Sequence, residues 1–178
     1  MSRLPSAILP RQWRGVKKAS LSIDVIVRSA RWKAQPRAAA LVRKAITIAA
    51  KAVSTPPAEL AILLSDDSAI RVLNREWRKL DAPTNVLSFP ARVTRAGQQL
   101  PRHLGDIVIA YETTAREAAA EHQPFGHHLV HLVVHGYLHL LGYDHATDRD
   151  AKKMERLEVT ILARLDIPDP YLTRDRAV

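Results

Sequence analysis

Apolar and polar positions alternate over residues 21–28, LSIDVIVR, with β-branched residues among them; this period-two pattern predicts a strand. Pro36 opens an alanine-rich stretch with Arg and Lys between, which predicts a helix to about Val53, and residues 54–57 break it. Residues 59–64 are short and apolar and read as a second strand. Asp66, Asp67 and Ser68 offer N-caps for a helix over residues 69–78. After a turn at residues 81–83, residues 85–89 read as a short strand that Pro90 ends. Residues 92–102 contain Gly97 and polar side chains and read as a mobile loop. Residues 104–110 are apolar on both faces towards their end, as in a buried central strand. A helix follows from Thr113 or Thr114 to about His122, and Pro124 and Gly126 punctuate. A long helix then runs from about His127 to Leu141, where Gly142 stops it. The last helix spans about residues 148–165, and Pro168 and Pro170 mark a tail.

The order β-α-β-α-β-β-α-α-α predicts an α+β fold, a small mixed β-sheet packed with helices. Residues 21–170 form one expected domain, preceded by a basic, flexible extension over residues 1–20 and followed by a tail over residues 171–178. Hydrophobic residues are 47% and charged residues 25% of the 178, the balance of an ordinary globular chain. No apolar run approaches the ~20 residues of a membrane-crossing helix, so no membrane partner is expected. The absence of cysteine excludes disulfides, leaves His, Asp and Glu as the only ligands for a metal, and agrees with a cytoplasmic location. A net charge of +9 favours polyanionic partners, nucleic acid among them.

The informative run is residues 135–145, HGYLHLLGYDH. His135 and His139 lie four apart, which on a helix sets both imidazoles on one face. Gly142 can adopt the left-handed conformation that ends the helix, and His145 can then approach the same ion from outside it. Three imidazoles suit one divalent ion, zinc foremost, and leave a position open to water, the catalytic form of such a site. Nickel and copper also accept imidazole. The spacing equals that of the zincin peptidase motif H-E-x-x-H-x-x-G-x-x-H, except that Gly136 stands where the peptidase has its glutamate base. The helix is therefore expected to be zincin-like in metal geometry without peptide chemistry. His128, His131, His135 and His139 share a helical stripe; His131 orients a ligand, touches substrate, or packs, while His127 and His128 read as a solvated helix start.

This signature resembles that of the YbeY endoribonucleases, factors of ribosomal RNA maturation. Two further segments are similar in order and spacing, residues 73–90, LNREWRKLDAPTNVLSFP, and residues 104–109, LGDIVI. The following helix, with Met154 and Glu158, fits as well. The resemblance covers about residues 60–170. It implies a metal-dependent, single-strand-specific endoribonuclease acting on the 3′ end of small-subunit ribosomal RNA and in ribosome quality control, with the small ribosomal subunit as partner. It places the metal ligands on His135, His139 and His145 and the functional arginine on Arg78. Many members carry Asp where this chain has Asn85, which argues against that side chain as an obligatory base.

Arg78 can pair with two phosphate oxygens through its planar fork. Asn85 and Ser88 can offer donors to RNA or cap a turn. Asp106 and Asp144 can orient a ligand or hold a loop. Arg71, Arg75, Lys79, Arg92, Arg95 and Arg102 can add a basic rim. The competing readings are a zinc metallopeptidase and a non-catalytic ribosome-assembly factor held together by its metal.

Overall fold

The computed structural model describes residues 21–172, so the expectations for residues 1–20 and 173–178 lie outside it. Four strands form one sheet: β1 (Ser22–Val27), β2 (Glu59–Ser65), β3 (Val86–Pro90) and β4 (His103–Ala110). Five helices accompany them: α1 (Ala38–Ala52), α2 (Asp67–Arg78), α3 (Tyr111–Ala120), α4 (Phe125–Leu140) and α5 (Asp148–Ala163). The strand order is β1-β2-β4-β3. The β1–β2 and β2–β4 pairs are parallel and the β3–β4 pair antiparallel, so the sheet is mixed as expected.

Alternation along the strands divides the core in two. Leu60, Ile62, Ile107 and Ile109 face the larger cluster, which takes Val42 and Ile46 from α1, Val133 and Tyr137 from α4, and Ile161 from α5. Leu63, Leu87, Val108 and Ala110 face Ile70 of α2 in a smaller cluster on the other side. α4 is buried along most of its circumference, with Leu129, Val133, Val134, Tyr137 and Leu138 at 0% exposure. A helix apolar nearly all round belongs in the interior, and only its histidine stripe breaks that rule.

Three departures from the expected elements have local causes. A 3-10 turn at Ala30–Ala34 is capped by Ser29 and held by the buried Trp32, whose indole N–H donates to the Ser65 carbonyl at 2.7 Å. α3 begins at Tyr111, directly after β4, because Asp67 of α2 accepts from the Thr113 amide (3.0 Å) and hydroxyl (2.7 Å). Gly126 lies inside the first turn of α4, behind Pro124 as N-cap, instead of interrupting it. Phe125 is drawn in by aromatic contacts with Trp32 and Tyr111, at centroid distances of 5.9 and 5.4 Å.

Candidate metal centre

The site is built at the end of α4. Leu141 is the C-cap, and Gly142 follows with φ of +84°. The Gly142 amide donates to the His139 carbonyl (3.0 Å) and the Tyr143 amide to the Leu138 carbonyl (3.1 Å), the paired bonds of a Schellman turn. Glycine is required there twice over. The backbone is left-handed, and a Cβ would sit 2.3 Å from the Thr94 carbonyl oxygen. The loop after β3 thus packs on the helix end, where the Ala96 amide donates to the Gly142 carbonyl at 3.1 Å.

The turn brings His145 back to the helix. Ligand nitrogens of His135, His139 and His145 all lie within 4.8 Å of one another. The His135 and His139 rings stand edge to face at 4.6 Å, and His145 lies 5.7 and 5.1 Å from them. Each helix histidine of the cluster has its Nδ1 occupied by a group that can only accept: Glu158 Oε1 for His135 at 2.8 Å, and the Tyr143 carbonyl for His139 at 3.0 Å. Both Nδ1 atoms therefore carry the proton, and both Nε2 atoms present a lone pair. Those lone pairs face each other at 3.1 Å, close to the roughly 3.3 Å between two nitrogens on one tetrahedral zinc. A proton between them would create an imidazolium. Burial, with His135 and His145 nearby, opposes this by holding His139 down to about 4. The donor set fits a divalent ion.

Glu158 is the residue whose role the residues alone did not disclose. It is 1% exposed on α5 and accepts from His131 Nε2 at 3.0 Å, from His135, and from the Tyr171 hydroxyl. Burial alone would raise its carboxyl, but these hydrogen bonds and the proximity of His135 outweigh burial and hold it at about 2. The available signal was a carboxylate at position 158 in the apolar stripe of Met154, Ile161 and Leu162. His131 accordingly belongs beside Glu158.

His128 overturns the expected solvated helix start: it is 5% exposed and bonds Glu117 Oε2 at 2.8 Å. The same oxygen accepts from Asn85 Nδ2 at 2.9 Å, while Asn85 Oδ1 accepts from the Val86 amide. Burial works against the Glu117 carboxylate, yet its bonds to His128 and Asn85 and the nearby His128 and Arg116 charges lower its pKa. These groups line a cleft of about 670 Å³ that reaches His135 and His145 and, among the described residues, carries no Lys or Arg.

The other expected residues take different places. Ser88 does not line the cleft; its hydroxyl donates to the Gly136 carbonyl at 3.1 Å and seats α4 on β3. Gly136 is pressed against the sheet, where a Cβ would lie 2.9 Å from Ser88 Oγ and 3.2 Å from Ile107 Cγ2. A peptidase glutamate there would press on Ser88 and Ile107. Asp106 alternates with Ile107 and so shares the side of Val108, away from α4; burial raises its carboxyl, and its near partner is His103 at 3.7 Å. Asp144 is exposed and accepts from the His145 amide at 2.8 Å. Arg78 is exposed at the end of α2 and does not line the cleft. Of the expected basic rim, Arg71 and Arg75 are paired with Asp81 and Arg102 with Glu59.

Known proteins agree with this architecture. The family model described as Endoribonuclease YbeY matches residues 26–166. A protein named Endoribonuclease YbeY from Nitrobacter hamburgensis is 54% identical over 158 residues, covering 86% of this chain and 83% of its own. One of the same name from Rhodopseudomonas palustris is 55% identical over 158 residues, covering 86% and 92%. The solution structure of TM1509 from Thermotoga maritima shares the fold, with a TM-score of 0.55 at 20% identity over 81% of this chain and 91% of that one. The resemblance carried by residues 135–145 and their two companion segments thus extends along most of the chain, which belongs to the Endoribonuclease YbeY family.

Proposed function

We propose that this chain is a metal-dependent, single-strand-specific endoribonuclease acting on the 3′ end of small-subunit ribosomal RNA and in ribosome quality control in the cytoplasm. One zinc ion per chain would be held by His135, His139 and His145. The observation that carries the metal-dependent reading is the pair of Nε2 lone pairs facing each other at 3.1 Å, with both Nδ1 protons committed elsewhere. When bound, the ion supplies Lewis acidity to water and to phosphoryl oxygens at neutral pH. The protein's own residues do the rest. Glu158 and the Tyr143 carbonyl orient two ligands, and His131 holds Glu158 in place. Support for Arg78 as the phosphate-binding group is that it is exposed at the end of α2, while Arg71 and Arg75 share Asp81 as an ion-pair partner. Its planar fork matches two phosphate oxygens and steadies charge developing on them. Asn85 lines the cleft, but both ends of its amide are engaged, so it presents a wall to substrate and does not act as a base.

The test pairs elemental analysis of purified protein with cleavage of single-stranded RNA and of casein. About one zinc per chain and cleavage of RNA alone are expected, both lost in His145→Ala, with cleavage alone lost in a folded Arg78→Ala. Casein cleavage with RNA left intact would establish the peptidase reading. Metal that stabilises the chain while wild type cleaves no RNA would establish the assembly-factor reading.

A further inference from the structure

Residues 166–171, after α5, stay against the domain. Asp166 takes a left-handed φ of +59°, and the Ile167 amide donates back to the Leu162 carbonyl at 3.1 Å. This reversal turns the segment over α5, and Ile167 packs on the main core. The Tyr171 amide is fixed by Asp169 Oδ1 at 2.8 Å, and Pro170 and Tyr171 form one wall of the cleft. The Tyr171 ring meets His131 edge to face at 5.8 Å, and its hydroxyl donates to Glu158 Oε2.

The geometry points to Tyr171 as a positioning residue for the metal centre: its hydroxyl, with His131, holds Oε2 of Glu158 so that Oε1 is aimed at His135 Nδ1. This rests on the metal reading above and extends it to a segment beyond the last helix. Without Tyr171, His131 alone would hold Oε2. Two donors on Oε2 fix its plane and leave Oε1 for the ligand. Fixing Oε1 fixes the proton on Nδ1 of His135 and so keeps the Nε2 lone pair free for the ion. The tyrosine ring is already packed against His131, so Tyr171→Phe removes the hydroxyl and spares the wall.

Zinc affinity is measured on the folded full chain by competition with a chromophoric chelator at pH 8. The proton position on His135 is read in the metal-free protein from imidazole ¹⁵N shifts. Groups bonded directly to a ligand typically contribute ~10–100-fold in metal affinity; Tyr171 acts one bond further out, so Tyr171→Phe is expected to weaken zinc about 3–10-fold. It is also expected to convert His135 from one tautomer to a mixture. In a Glu158→Gln background the same change is expected to have no further effect, because the path is gone. Affinity within twofold of wild type with an unchanged tautomer overturns the assignment, and so does a loss that adds in full to that of Glu158→Gln. Failure of wild type to bind zinc while the tautomer still responds to Tyr171→Phe sinks the metal reading and leaves the positioning role standing. With neither zinc binding nor a tautomer response, both fail.

Discussion

His139 and Glu158 differ in charge type, yet acid acts on both in the same direction. The His139 pKa falls from an ordinary 6.5 to about 4 on folding, so between those values the unfolded chain binds more protons than the folded one. The stability it contributes is complete above pH 6.5 and is lost as pH falls through 4. Glu158 falls from 4.5 to about 2, so its contribution is present above pH 4.5 and disappears on approach to pH 2. Melting of metal-free protein between pH 8 and pH 4 is therefore expected to show a falling Tm below pH 6.5, and His139→Asn to flatten that limb. The two helix ligands also differ in how they are oriented. His139 leans on a backbone carbonyl, whereas His135 depends on one side chain. Glu158→Gln is expected to lower zinc affinity about 10–100-fold, measured by chelator competition, while Tyr143→Phe leaves the carbonyl and the affinity in place. The cluster of His135, His139 and His145 was legible in the sequence because helical periodicity and one glycine bring them together. Glu158 was not, because its partners are chosen by how α5 packs on α4, a distance no local pattern encodes.

Elements were read best where their ends carry their own chemistry. Asp66 caps α2 through the Ala69 amide, and Gly142 ends α4, both as the residue types require. The start of α3 differs from its expected position, and the 3-10 turn carries little local sequence signal, because Asp67 and Ser65, distant in sequence, supply their bonds. The junction of α4 with the loop after β3 is the most demanding of these ends. Gly142→Ala combines a left-handed Cβ with a 2.3 Å clash against Thr94. The expected destabilisation is about 2–4 kcal/mol, read by urea denaturation, with zinc affinity reduced because His145 hangs from the same turn.

Across the whole molecule, charge and chemistry are segregated. The chain's net charge is +9, yet among the described residues the cleft wall carries Glu117, Glu121, Glu155 and Glu158 and no Lys or Arg. Binding of single-stranded RNA should weaken steeply with salt, and Arg78→Ala should flatten the log–log slope by about 0.7, measured by anisotropy titration at several salt concentrations. Net charge disclosed the polyanionic partner class but not this separation, which depends on the helices placing four glutamates around one opening. The three ligands, by contrast, fall within a single short run, residues 135–145. Closing so short a loop costs little entropy, so under the metal reading proposed above the denatured chain would keep part of its grip on the ion. Binding to both states cancels in the stability difference, and stripping the ion with a chelator should lower Tm by less than the site's affinity alone implies.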